Sequence, residues 1–176
     1  MKLITKIVTL SILIFAINAC DENDTGPNVA KKLTVEELSQ TLYWFDTEYG
    51  LYQPDQAAVQ GISDEFDPVT DRVYFFFQLA CNCKIPQEPI PHLIKSLDQA
   101  GVDQGYMEIY SLKNTATSHP FEHLFKIKRI PSIFLARASD SIPVYSVLDT
   151  MNSIQTKYPD TTIKVEQLLL EALKMY

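Results

Sequence analysis

The apolar positions of this 176-residue chain follow two different spacings. From Val35 to about Thr47, Leu38, Leu42 and Phe45 recur at helical intervals, and the spacing predicts an amphipathic helix. Thr34-Val35-Glu36-Glu37 starts it as a capping box, with Thr34 as N-cap and Glu37 at N3, while Leu33 and Leu38 are placed as a hydrophobic staple. "VYFFFQLA" (73 to 80) is instead a continuous apolar run of strand length, as a central strand covered on both faces requires.

Between these two segments, Gly50, Pro54, Gly61 and Pro68 predict loop around a short helical piece near Gln56 to Gln60. Tyr49 and Tyr52 fall there, as core aromatics or as the wall of a ligand groove. "PHLIKSLDQAG" (91 to 101) reads as a helix with proline at its start and Gly101 at its C-terminal cap. Residues 105 to 112 read as a second strand, and 118 to 127 as a short helix with Ser118 or His119 near the N-cap. Residues 131 to 138 give a third strand and 142 to 148 a fourth, which Pro143 suits to a sheet edge. A closing amphipathic helix covers 162 to 176. The order predicts an α/β fold with a mixed central sheet and helices on both faces, preceded by a helical extension.

The first 19 residues stand apart from that domain. Lys2 and Lys6 form a basic n-region, Ile7 to Ile17 an apolar h-region too short to span a bilayer, and "INAC" a processing site ending at Cys20. "INAC" resembles the lipobox of bacterial lipoproteins, with Asn18 the less usual occupant of its position. The resemblance implies a signal peptide at 1 to 19, a mature N-terminus at Cys20 lipidated on sulfur, and a bacterial cell-envelope location, anchored to a membrane through the lipid. Each buried CH2 of such acyl chains adds about 0.8 kcal/mol to membrane binding. Residues 20 to 32 then read as an acidic, turn-rich tether, and 33 to 176 as the folded domain.

Removing residues 1 to 19 takes away two lysines and no acid, so the formal charge moves from −7 to −9. Nucleic acid is excluded as a natural partner on this charge, and a monomer is expected. Five scattered glycines offer no phosphate-cradling loop, and the three histidines have no serine or paired-carboxylate partner at a recognisable spacing.

With Cys20 lipidated, Cys81 and Cys83 remain as an even pair in an oxidising compartment. The pair follows the 73 to 80 strand directly, and Lys84 adjoins it as a cation able to lower a thiol pKa. "FFFQLACNCK", with 47 residues between Cys83 and the proline of "RIPSIFL", resembles the thioredoxin-like family over about residues 72 to 148 plus the closing helix. The resemblance implies a three-layer α/β/α fold and thiol-disulfide exchange with protein thiols or disulfides. It gives Cys81 and Cys83 as the catalytic pair and Pro131 as a cis proline facing them, with Ile130 and Ser132 at the substrate edge. A redox-active disulfide would be the only cofactor.

The chain departs from that pattern in three ways. The motif is C-x-C rather than C-x-x-C, which makes the disulfide ring tight and more oxidising. Pro86, Pro89 and Pro91 cannot all lie inside a regular helix. The acid often found in the preceding strand is absent, Gln78 being the nearest polar residue. Two alternatives stand beside the redox reading: a Cu(I) carrier using Cys81, Cys83 and His123, with His119 nearby, and an interaction module whose cysteine pair is structural.

Overall fold

A computed structural model describes residues 28–79, 84–137 and 144–175. The residues expected as signal peptide and lipidation site, Cys20 among them, lie outside the described residues, as do Cys81, Cys83 and Pro143. In chain order the elements are β1 (Lys31–Leu33), α1 (Val35–Thr41), α2 (Phe45–Leu51), α3 (Gln56–Glu65), β2 (Asp71–Phe77), α4 (Lys84–Gln87) and α5 (Pro89–Gln99). A 3-10 turn at Gln104–Tyr106 leads into β3 (Met107–Ser111), followed by β4 (Ser132–Arg137), β5 (Val144–Ser146), α6 (Val147–Lys157) and α7 (Val165–Met175). Among the described residues no helix is long and apolar enough to cross a membrane.

The five strands form one mixed sheet in the order β1-β3-β2-β4-β5. β2 runs parallel to β3 and antiparallel to β4, so it is central, as its unbroken apolar run predicts. Its side chains alternate between two cores. Val73, Phe75 and Phe77 join Ile109, Ile133 and Leu135 on one face, where α1, α2, α3, α5, α6 and α7 all bury apolar residues. Tyr74 and Phe76 join Tyr110 and Phe134 on the other, where the cover comes from Phe121, Leu124, Phe125, Ile127 and Ile130. This second face is packed as an aromatic cluster, with Phe125 stacked on Phe134 at 4.5 Å and Tyr74 edge-on to Phe121 at 4.6 Å.

The helix expected at 118 to 127, which would have formed the second helical layer, is replaced by turns. His119 and Phe121 both direct their rings into the aromatic cluster, and positions two apart lie on nearly opposite sides of a helix. Three further boundaries move. The first predicted helix ends at Thr41, where Leu42 caps it in an extended conformation, and α2 begins anew at Phe45, with Leu42, Trp44 and Phe45 all buried. Of the 142 to 148 strand, the described residues Val144–Ser146 form β5, and α6 follows at once from Val147. α3 extends to Glu65, beyond the short piece expected, with Asp55 capping it by accepting from the Ala57 and Ala58 amides.

Other local signals hold. Thr34 accepts from the Glu37 amide while Glu37 accepts from the Thr34 amide, closing the capping box. α5 carries proline in its first turn and ends in a Schellman motif: Gly101 has φ +78, its amide donates to Asp98 O, and the Val102 amide donates to Leu97 O.

At the far end of β2, the wholly buried Asp71 receives a bidentate bond from Arg137 of β4, with Nε at 2.6 Å and Nη2 at 2.8 Å. The Asp67 amide also donates to this carboxylate. Removing one partner strands a buried charge, which typically costs about 3–5 kcal/mol. Arg137→Met is therefore expected to lower unfolding free energy by about that amount, and Asp71→Asn/Arg137→Met to recover most of it; urea denaturation measures both.

Candidate functional site

The end of the sheet opposite Asp71 carries the described part of the predicted site, Ile130, Pro131 and Ser132. β2 and β4 are in register with Phe76 opposite Ser132, so the chain leaving β2 and the chain entering β4 lie side by side. The Ile130-Pro131 peptide at the entrance to β4 is cis, as expected from the sequence. Ile130 packs against the aromatic cluster, and the buried Ser132 hydroxyl donates to Arg129 O at 2.6 Å. Arg129 in turn pairs with Asp149 in the first turn of α6 at 2.8 Å, tying this loop to the helical face.

Residues 80–83 lie outside the described residues, but both flanks of that segment are fixed. On the β2 side, the Gln78 amide donates to Oε1 of the buried Gln87 in α4 at 3.2 Å, and the Gln78 side chain donates to Lys113 O at 2.9 Å. On the helix side, Lys84 Nζ lies 2.7 Å from Glu48 Oε1. This corrects the role expected for Lys84. Its ammonium is neutralised by a carboxylate from α2, which raises the lysine pKa, while the same contact holds the Glu48 carboxyl below its ordinary range.

Glu48 was not legible from the sequence as a site residue. It is 8% exposed, and its second oxygen, Oε2, stands 3.5 Å from His92 Nε2 on α5. Glu88, one turn before His92, places Oε1 at 3.9 Å from the same nitrogen. Donor atoms of Glu48, Glu88 and His92 thus all fall within 4.8 Å of one another, a group able to hold a metal ion. Burial pulls the His92 imidazole towards its neutral form, against the neighbouring carboxylates of Glu88 and Glu48. The only local sign in the sequence was the four-residue spacing of Glu88 and His92.

Helix α2 reaches this group because Lys95 of α5 caps its C-terminal end, donating to Gly50 O at 3.0 Å and Tyr52 O at 2.7 Å. Tyr52 then lies flat on the His92 ring, with centroids 3.8 Å apart and planes 5° from parallel. Its hydroxyl donates to Oε2 of the fully buried Glu166 at 2.6 Å, and Oε1 of Glu166 accepts from the Asp55 amide. Burial and the Glu166 carboxylate push the Tyr52 phenol strongly upward, so it remains a donor. Tyr52 is the groove residue of the two predicted tyrosines: with Glu88, His92, Met151, Asn152 and Lys164 it lines a cavity of about 600 Å3. Tyr49 instead donates to Asp98 at 2.6 Å and stacks on Phe45.

The two histidines of the Cu(I) alternative separate. His123 is exposed on a turn. His119 is buried against Phe76 and Phe125, with Nδ1 lacking a hydrogen-bond partner, and burial lowers its pKa. His92, the third histidine, is the one held among carboxylates. Tyr52→Phe removes one of the two hydrogen bonds to the buried Glu166 and is expected to lower stability by about 1–3 kcal/mol, read by urea denaturation.

Comparison with known proteins brings no relative to bear on this site: no family model, no curated protein and no solved structure matches the chain.

Proposed function

We propose that this protein is a lipid-anchored thiol-disulfide oxidoreductase or isomerase of the cell envelope, built on a thioredoxin-like core. The observation that carries the reading is the register of β2 with β4. It sets the segment that leads into Cys81 and Cys83 beside the segment that enters β4 through the cis Ile130-Pro131 peptide. The parallel β2-β3 pair joined through α5, with β4 antiparallel on the other side of β2, supports the same reading.

In this chemistry the Cys81 thiolate attacks one sulfur of a partner disulfide, forming a mixed disulfide and releasing the other partner sulfur as thiolate. Cys83 then attacks the Cys81 sulfur. The second partner thiolate leaves, two electrons pass to the partner, and the Cys81-Cys83 disulfide forms. A dithiol reductant returns the pair to its reduced state, or an oxidised pair runs the sequence in reverse. The backbone entering β4 offers an edge on which an extended partner chain pairs near the disulfide.

Because Lys84 is paired with Glu48, a free ammonium beside the cysteine pair is not what would lower the nucleophile's pKa. The tight C-x-C ring points to an oxidant or isomerase. The expected reduction potential of the Cys81-Cys83 pair lies above about −200 mV, measured against glutathione buffers with mass spectrometry of the disulfide. Cys83→Ser is expected to accumulate mixed disulfides on Cys81 that a further Cys81→Ser change abolishes. A pair that forms no disulfide across the accessible range of potentials refutes the assignment.

A further inference from the structure

We propose that Glu48, Glu88 and His92 form a binding site for a divalent cation of the zinc class, on the wall of the cavity beside Tyr52. The site is built from residues other than the cysteines and does not rest on the redox reading.

The geometry is already close to that of a coordination sphere. Zn2+ takes imidazole nitrogen and carboxylate oxygen at about 2.0–2.2 Å, which sets neighbouring donors roughly 3–4 Å apart. His92 Nε2 lies 3.5 Å from Glu48 Oε2 and 3.9 Å from Glu88 Oε1, and all three donor atoms lie within 4.8 Å of one another. The two distances to the imidazole nitrogen already fall in that range. One imidazole with two carboxylates also favours zinc and its neighbours over Mg2+ and Ca2+, which take all-oxygen sets.

The charges point the same way. Two carboxylates converge here, and the one ammonium in contact, Lys84, sits on Oε1 of Glu48, leaving Oε2 turned towards His92.

The donors are also held in place before any ion arrives. Glu88 and His92 are successive turns of one helical segment. Glu48 is carried to them by α2, whose end is pinned by Lys95. Tyr52 fixes the plane of the imidazole, and Glu166 fixes Tyr52. The cavity of about 600 Å3, which Glu88 and His92 both line, supplies access and room for the water or ligand that fills the remaining coordination positions.

The test uses the full chain in detergent with Cys20, Cys81 and Cys83 replaced by serine, so that thiolates cannot contribute. Zn2+ is titrated by calorimetry, and the histidine ring nitrogens are followed by 15N NMR. One equivalent is expected to bind, shifting the His92 ring signals and leaving those of His119 and His123 in place. Glu88→Gln, at a part-exposed position, is expected to weaken binding at least about tenfold without moving the melting temperature of the metal-free protein, and His92→Gln to do at least as much. An excess of Ca2+ should leave the titration unchanged. Absence of binding at millimolar Zn2+, binding that shifts His119 or His123 instead, or an affinity indifferent to Glu88→Gln overturns the proposal.

Discussion

The structure depends on covering both faces of β2. This strand lies between a parallel and an antiparallel neighbour, and every residue from Val73 to Phe77 is buried. Its odd-numbered side chains are met by helices and its even-numbered ones by an aromatic loop. Because the side-chain period of a strand is two, a register slip of one residue would exchange the two sets and fit neither cover. The bidentate Asp71-Arg137 pair at one end of the β2-β4 ladder fixes that register chemically as well as sterically. The position of Ser132 opposite Phe76 at the other end then follows from it, and with it the arrangement of the site.

The elements legible in the sequence are those whose signals are local. The capping box at Thr34, the prolines and Gly101 around α5, and the apolar run of β2 each state their structure within a dozen residues. α6 was missed because "VLDTMNSIQTK" is poor in strong helix formers. Its position follows from Val147 and Leu148 being taken into the core directly after β5. The 119 to 125 segment misled in the opposite sense. Proline followed by apolar residues at four-residue spacing imitates a helix start, but the demand that His119 face the same aromatic cluster overrides it.

The site divides along the same line. Cysteines and a proline at family-like spacing announce themselves, whereas a carboxylate earns its meaning from what it touches. Glu48 precedes Lys84 by 36 residues and meets it only because α2 folds back onto α5. The N-terminal extension thus brings a carboxylate into contact with the residue that follows the cysteine pair. The extension therefore contributes polar groups to the site as well as apolar side chains to the core.

The two outer strands, β1 and β5, are only three residues long. β1 carries Lys31 and Lys32 at exposed positions, with Lys32 bonded across to Glu108 of β3 at 3.0 Å. A short, charged edge such as β1 gives a second copy of the chain little on which to extend the sheet. That is a safeguard against edge-to-edge aggregation on this side of the sheet.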